Sequence, residues 1–348
     1  MNHDVHHRAE GALASAKTRA IDFLLSRRNR LGWWSDFETL AGSSDEWVTA
    51  YVGSLLSEVD DDRALRAARD AWEALQTRRR WSKGWGYNRR VPADADSTLW
   101  TLRLAGRLNS GDTRRARHAW KFLSRHARSD GAIATYAEDG PIRLFTRLQR
   151  SVSFEGWCGP HLCVTAVAAG LPEFSGHAKA LNYVRQAQHC DGSWIGYWWC
   201  DHEYTTSLVV EALAATGGTA DKVAIDRAME WTANRLTRKF STVSTRARNE
   251  SAFAVASCVR ILAHTRDKRQ LRALLETPLA QLYVTQNSDG SWSPSARLRI
   301  PPPGVTDPES YVGWVRDGKG GGSIQVDINK CFTTATVLSA LHEVEKLG

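Results

Sequence analysis

The sequence predicts an all-α protein built as a single (α/α)6 barrel of six helical hairpins. Three observations support this prediction. The 348-residue chain carries 15 tryptophans, related segments recur about every fifty residues, and in each recurrence a charged stretch precedes a small, apolar one. Self-similarity at a fixed period of this length is typical of repeat architectures, in which each unit buries its apolar face against its neighbours.

The first half of each repeat is interpreted as an outer, amphipathic helix followed by a tryptophan turn. The most complete copy, KALNYVRQAQHCDGSW (179–194), contains Gln188, Gly192 and Trp194. Glycine can end a helix and an indole can pack over the turn, so Trp194 and its counterpart Trp292 are predicted to be structural. The anchor column of these helices recurs at intervals of 49, 50, 61, 48 and 50 residues, at Phe23, Trp72, Phe122, Tyr183, Trp231 and, by register, Gln281.

The second half of each repeat is interpreted as an inner helix. Segments such as HEYTTSLVVEALAATG (202–217) begin with polar or capping residues, continue with small and branched apolar residues, and often stop at glycine. These are helix start and stop signals. Because the segments are apolar almost all round, they are expected to lie inside the layer of outer helices. We therefore predict one domain over residues 1–348, with repeats near 19–66, 67–110, 115–170, 179–217, 225–264 and 275–345.

Composition restricts the class of protein. Hydrophobic residues make up 42% of the chain, enough for a large core, and no apolar run approaches the roughly 18 residues of a membrane span. The beginning of the chain lacks the continuous apolar stretch of a secretory signal, and the six cysteines show no CxxC spacing. A reduced, cytoplasmic protein is therefore expected. The net charge is +8, but the arginines are scattered, which argues against a nucleic acid partner.

The stretch VPADADSTLW (91–100) places two carboxylates, Asp94 and Asp96, directly before an apolar run. One aspartate is explained as the N-cap of an inner helix, since aspartate is a favoured capping residue and Pro92 suits a helix entry. The second carboxylate is left over by that explanation. The pair is therefore a candidate for acid chemistry, with capping alone as the alternative.

The copy at 179–194 resembles the QW repeat of the terpene cyclase and protein prenyltransferase superfamily. The resemblance implies a six-hairpin α/α barrel whose active cavity opens where the inner helices begin. Within that superfamily, DADST resembles the DxDD motif of squalene–hopene cyclases and class II diterpene cyclases. It implies that Asp96 protonates an alkene or epoxide with Asp94 as the supporting acid. The sequence departs from the motif at Ser97, and it has room for only one barrel.

Aligning the inner helices on a threonine column predicts which residues face the cavity. Two positions before that column stand Trp47, Asp96, Cys163, Tyr204, Glu250 and Phe332. Aromatic faces stabilise cations through the ring quadrupole. The aromatic residues predicted to do so are Trp47, Trp100, Trp157, Trp198, Trp199, Tyr204 and Phe332.

Two histidines and two insertions lie near the same mouth. His161 and His202 are placed to hydrogen-bond Asp96 or to orient a substrate, although a lone histidine is more often structural. The insertions 138–154 and 293–325 each join an outer helix to an inner one. Long loops in such places are either lids or ordinary surface loops. The first insertion is basic and apolar, which suits a diphosphate or peripheral contact with a membrane surface.

These observations together predict a class II-type cyclase that acts on a small hydrophobic isoprenoid, either a polyene or an isoprenyl diphosphate. No cofactor or metal is required, and Mg²⁺ would accompany only a diphosphate substrate. One alternative is an α/α-barrel glycoside hydrolase that uses Asp96 and Glu250 as its two carboxylates. Others are a zinc-dependent prenyltransferase-like enzyme, suggested by Cys200, Asp201 and His202, and a non-catalytic lipid- or partner-binding barrel. The sequence makes no prediction about oligomeric state.

Overall fold

A computed structural model describes residues 2–78, 83–240, 251–265, 268–316 and 318–347. In these ranges the chain forms thirteen helices and five short strands. The helices are α1 (Asn2–Arg27), α2 (Glu46–Leu56), α3 (Asp62–Thr77), α4 (Ala95–Arg107), α5 (Arg114–Leu123), α6 (Asp139–Thr146), α7 (Leu162–Ala169), α8 (His177–Gln186), α9 (His202–Ala214), α10 (Thr219–Phe240), α11 (Ala252–Leu262), α12 (Lys268–Val284) and α13 (Cys331–Leu347).

Twelve of the described helices form two concentric layers, as the sequence predicts. The inner layer is α2, α4, α7, α9, α11 and α13, and the outer layer is α1, α3, α5, α8, α10 and α12. Every residue of α2 is buried, whereas α3 buries only an alanine- and leucine-rich stripe with Trp72. Each inner helix packs against the next inner helix, and α13 returns to α2 and α1, so the barrel is closed.

The tryptophan turns bind the layers together. The Trp194 side chain is fully buried, and its indole Nε1 donates to the Val184 carbonyl at 2.7 Å. The Thr206 hydroxyl of the next inner helix accepts from the Trp194 backbone N–H at 3.0 Å. Three other tryptophans donate in the same way from the indole Nε1 to the backbone carbonyl ten residues earlier. These pairs are Trp34 with Leu24, Trp85 with Leu75, and Trp292 with Leu282. The predicted structural role of Trp194 and Trp292 is thus confirmed.

Two glutamines of these turns connect neighbouring outer helices. Gln188 Nε2 donates to the Gly192 carbonyl and, at 2.8 Å, to the Ala224 carbonyl of α10. Gln286 Nε2 donates to the Gly290 carbonyl and, at 2.9 Å, to the Ala16 carbonyl of α1. The last repeat is therefore joined to the first by the same bond that joins two consecutive repeats.

The glycines in these turns allow the close approach. Gly192 has φ +98°, and a Cβ there would lie 2.5 Å from the Arg227 carbonyl of α10. Gly290 has φ +87°, and a Cβ there would lie 2.2 Å from the Arg19 carbonyl of α1. At both positions glycine is required for two reasons: the backbone is left-handed, and a Cβ would clash with the next outer helix.

The strands and α6 lie in the connections that run from an outer helix to the next inner helix. β1 (Asp36–Thr39) and β2 (Gly42–Ser44) form a hairpin before α2. β3 (Arg297–Ile300), β4 (Val315–Arg316) and β5 (Ser323–Val326) form a sheet in the order β3-β5-β4, with β3 antiparallel and β4 parallel to β5. These connections meet at the end of the barrel where the inner helices begin.

The opposite end of the barrel is closed by charged side chains. Glu58 and Glu211 accept ion pairs from Arg103 and Arg107, and Arg260 pairs with Glu211. Arg103 and Arg260 are buried, so this cluster seals the barrel at the base. In the described ranges, no helix combines the length and the apolar character that crossing a bilayer demands.

Candidate active site

A cavity of about 640 Å³ opens at the mouth of the barrel. Its floor includes Asp94, Asp96 and Ser97 at the start of α4. The walls come mainly from three of the connections: Thr39, Leu40 and Ala41; Ile142, Phe145, Thr146, Leu148 and Val152; and Leu298, Ile300, Pro302, Pro303 and Lys319. Tyr87 and Val91 before α4 and Trp198 before α9 add to them. Both predicted insertions therefore contribute walls, and the β1–β2 hairpin adds a third that was not predicted. The lining is mostly apolar, as expected for a site that holds a greasy ligand.

Asp94 is the N-cap of α4. Its Oδ1 accepts from the Ser97 backbone N–H at 2.7 Å, and its Oδ2 accepts from the Ser97 hydroxyl at 2.9 Å. Both donors favour the charged carboxylate, and the side chain is buried. The residue that departs from the DxDD motif, Ser97, therefore supports the first acid.

Asp96 lies in the first turn of α4 and lines the cavity. The residues that the structure describes make no hydrogen bond to its carboxyl group. Burial, and after it the negative charge of Asp94, raise the pKa of Asp96 well above its usual range. The two aspartates therefore differ in setting: Asp94 accepts two hydrogen bonds from Ser97 at a helix start, whereas the raised pKa of Asp96 favours its protonated form toward the cavity.

Three of the predicted aromatic residues, Trp47, Trp157 and Trp198, line the cavity. Trp157 and Trp198 lie with ring centroids 6.0 Å apart, and Trp157 Nε1 donates to the Pro301 carbonyl at 2.9 Å. That bond, with the Trp157 N–H to the Pro303 carbonyl, holds the second insertion over the mouth. Tyr87, Tyr136 and Phe145 also line the cavity and were not predicted.

Four other predicted aromatic residues lie in the buried core instead of the cavity wall. Tyr204, Phe332 and Trp199 fill the inside of the barrel, where Tyr51 stacks on Phe332 at 3.7 Å. Trp100 is fully buried too, with its ring 4.6 Å from that of Tyr51. This placement differs from the prediction, because large rings on neighbouring inner helices pack against one another rather than leaving an open space.

The two predicted histidines have partners other than Asp96. His161 is fully buried and bonds to Thr135 and to the Gly156 carbonyl. His202 forms an ion pair with Glu309 at 3.3 Å. Glu250 lies outside the described residues, so the structure does not place the second carboxylate of the hydrolase alternative. Across the described part of the chain, no three His, Cys, Asp or Glu side chains come close enough together to hold a metal ion.

Two buried carboxylates at the start of α13 have roles that the sequence did not predict; Asp327 stands with Cys331 in DINKCFTT, a spacing considered only for a zinc site. Asp36 accepts from the backbone N–H groups of Cys331 and Phe332, at 2.8 and 3.1 Å, and so caps α13. Asp327 accepts from the Thr333 N–H of the same helix at 2.7 Å. Burial raises the pKa of both groups. No sequence signal connects Asp36 to a helix that begins almost three hundred residues later.

Comparison with known proteins places the fold among terpene cyclases. The family of the squalene–hopene cyclase C-terminal domain matches residues 166–240. A probable squalene–hopene cyclase of Sinorhizobium fredii is 37% identical over 73 residues, which are 20% of this chain and only 11% of that protein.

Two solved structures match along almost the whole chain. The type II terpene cyclase MstE from Scytonema, in complex with geranylgeranyl dihydroxybenzoate, has a TM-score of 0.92 and 39% identity, covering 98% of this chain and 100% of that one. A protein from Actinoplanes has a TM-score of 0.89 and 39% identity, covering 96% and 99%. The chain belongs to the type II terpene cyclases. Enzymes of this class begin cyclisation by protonating the substrate, a step that needs no cofactor.

Proposed function

We propose that the protein cyclises a linear isoprenoid that carries an acidic head group, with Asp96 as the general acid and Asp94 as its supporting residue. The observation that carries this proposal is the carboxyl of Asp96. It is half-buried, lines an apolar cavity, lacks a hydrogen bond from the described residues, and lies beside the capping carboxylate Asp94. A carboxyl in that setting retains its proton in the resting enzyme and can deliver it to a bound alkene.

The reaction starts when the terminal double bond of the substrate lies against Asp96. The π electrons of the alkene take the proton of Asp96, a C–H bond forms, and Asp96 is left as the carboxylate. The cation at the more substituted carbon is then attacked by the next double bond, which closes a ring and moves the cation along the chain. Loss of a proton or addition of water ends the sequence, and Asp96 regains a proton from solvent.

The cavity wall is suited to stabilise a carbocation that moves along the substrate as the rings close. The rings of Trp47, Trp157 and Trp198 line it, and each cation–π contact contributes about 0.5–2 kcal/mol. The apolar walls limit the access of water, which would otherwise quench the cation before the rings are complete.

An acidic head group is favoured by Lys319. Of the described cavity-lining residues it is the one with a positive charge. Its side chain is 52% exposed and pairs with Glu38 at 3.5 Å, so it stands at the mouth, while Asp96 lies at the cavity floor in the first turn of α4. The relative MstE binds a substrate of this kind, geranylgeranyl dihydroxybenzoate, and yields merosterolic acid A. A polyprenyl chain that enters tail first would put its terminal alkene near Asp96 and its acid near Lys319.

Peripheral contact with a membrane is part of the proposal. Leu40, at the rim of the cavity, is 82% exposed, and Leu144 of α6 is 81% exposed. Exposed leucines on two segments that line the cavity suit a surface that rests on a bilayer and draws a lipophilic substrate from it. Flotation with anionic vesicles tests this, and Leu144→Asp is expected to reduce the bound fraction. The cytoplasmic location indicated by the sequence stays a prediction.

The decisive experiment is turnover in deuterated water. Purified protein is incubated with geranylgeranyl dihydroxybenzoate and with linear isoprenoids that lack an acid, and products are identified by mass spectrometry. We expect a cyclised product that carries one additional deuterium. Loss of the acid should reduce its rate by about 10²–10⁴-fold in Asp96→Asn. Persistent cyclisation in a correctly folded Asp96→Asn protein would refute the assignment, and preference for substrates without the acid would refute the role of Lys319.

The head-group role of Lys319 is tested with Lys319→Met, which nearly keeps the length of the side chain and removes its charge. It is expected to raise KM for the acidic substrate while leaving kcat and the number of rings unchanged, because Lys319 does not reach the reacting alkene. A fall in kcat with unchanged KM would contradict a head-group role.

A further inference from the structure

The indole of Trp198 is held in the cavity wall from two sides. The indole Nε1 donates to the Thr135 hydroxyl at 2.8 Å. The backbone carbonyl of Trp198 accepts from the backbone N–H of Arg299 in β3, also at 2.8 Å. The ring is also packed edge-to-face against Tyr197, with centroids 4.8 Å apart. These contacts leave the indole little freedom to turn about its side-chain bonds.

The hydrogen bond from Trp198 determines where the proton of Thr135 goes. A hydroxyl has a single hydrogen, and here its oxygen accepts from the indole, so that hydrogen is free for the second neighbour. That neighbour is Nδ1 of His161, which lies 2.6 Å from the Thr135 oxygen. The Thr135 backbone N–H points to the same nitrogen at 3.2 Å. Nδ1 therefore receives two donors and must itself carry no hydrogen.

His161 is consequently a neutral imidazole with its hydrogen on Nε2. Nε2 lies 2.8 Å from the Gly156 carbonyl, which can only accept, so this nitrogen donates. The ring is fully buried and stacks on Tyr197 at 4.0 Å. Burial lowers the pKa of His161 to about 3, in agreement with the neutral form. The chain of donors thus runs in one direction, from Trp198 to Thr135, to His161 and to Gly156.

The orientation of this ring has chemical consequences if the cavity holds a cation. An aromatic ring has a negative face and a positive edge, and the indole N–H is the most positive part of that edge. The bond to Thr135, which itself lines the cavity, keeps this edge paired with a wall residue. Without it the ring could rotate and bring the N–H toward the cation, which would change attraction into repulsion.

We propose that Thr135 is a positioning residue: with its hydroxyl oriented by His161, it fixes the indole of Trp198 and so determines where along the substrate the cation is stabilised. The inference rests on the proposed cyclase function, and it assigns to Thr135 and His161 a role that acts through Trp198 and not through contact with the reacting atoms. His161 accordingly orients an aromatic wall residue and not the acid.

The test compares Thr135→Val, which keeps the shape and removes the hydroxyl, with Thr135→Ser, which keeps the hydroxyl. Loss of a well-placed cation–π contact should slow turnover about 2–30-fold in Thr135→Val and increase the fraction of incompletely cyclised or water-quenched products. Thr135→Ser should restore the wild-type product ratio. In a Trp198→Phe background, which has no indole N–H, adding Thr135→Val should cause no further change in that ratio.

A second measurement is independent of activity. The indole N–H resonance of Trp198, assigned by its disappearance in Trp198→Phe, should shift in Thr135→Val and return in Thr135→Ser. An unchanged resonance, or a wild-type product ratio in folded Thr135→Val, would overturn the positioning role while leaving Asp96 as the acid. If wild-type protein yields no cyclised product but the resonance behaves as described, the hydrogen-bonded chain stands and the proposed function fails.

Discussion

Replacing Trp194 by phenylalanine tests whether the tryptophan turns hold the barrel together. The indole Nε1 donates to the carbonyl of Val184, which lies in the last turn of α8, where helix carbonyls have no partner within the helix. Phenylalanine leaves that buried carbonyl unpaired, at a cost of about 1–3 kcal/mol. The smaller ring leaves a void of roughly 40 Å³, which adds about 1 kcal/mol. The free energy of unfolding should therefore fall by about 2–4 kcal/mol.

The control is Trp120→Phe, the same substitution at a half-buried tryptophan. Trp120 stacks on Phe174 at 6.3 Å, and no described residue accepts a hydrogen bond from its indole. Its replacement should cost less than about 1.5 kcal/mol. Denaturant unfolding followed by far-ultraviolet circular dichroism measures both. Equal losses in the two variants, or a loss below about 1 kcal/mol in Trp194→Phe, would refute the structural role of the indole bond.

Asp96→Asn should be more stable than wild type near pH 8, with the difference closing toward pH 4. The folded state raises the pKa of Asp96, so wild-type stability declines as pH rises above the usual aspartate pKa and levels off only beyond the raised one. Denaturant titrations of both proteins across pH measure this, and a pH-independent difference would contradict it. For the same reason kcat should be constant at low pH and fall as pH rises through the raised pKa, since only protonated Asp96 is a donor. A rate that increases there would argue for a base. Gly290→Ala should lower the melting temperature more than Gly217→Ala: both residues have positive φ, but only at Gly290 would the new Cβ meet a backbone carbonyl, at 2.2 Å. Equal shifts would show that the contact with α1 is unimportant.

The sequence predicts the scaffold well because the scaffold is periodic. The alternation of amphipathic and apolar segments gives both helical layers, and the spacing of Gln188, Gly192 and Trp194 gives the turn and its hydrogen bonds. Asp96 could also be singled out, because one aspartate of the pair is enough to cap α4.

The cavity wall was predictable only in part, because its residues come from connections without a period. Thr135 and Lys319 stand in no motif, and Thr135 meets Trp198 from 63 residues away. The column that places Asp96 in the wall places Tyr204 and Phe332 in the core. The alignment of the inner helices predicts the position of a residue on its helix. The size of the neighbouring aromatic rings decides whether that residue lines the cavity or is packed in the core.

The bond from Gln286 to Ala16 gives the barrel a fixed circumference. An open array of repeats can gain or lose a unit at either end and keep its other interfaces. In this closed barrel every repeat contacts a repeat on both sides. Removing or duplicating one repeat would therefore break the contact between the last repeat and the first. Insertions and substitutions are therefore expected to be tolerated better in the connections at the mouth than in the number of repeats. Those same connections form most of the cavity wall, so new substrates can be accommodated without disturbing the ring that carries the acid.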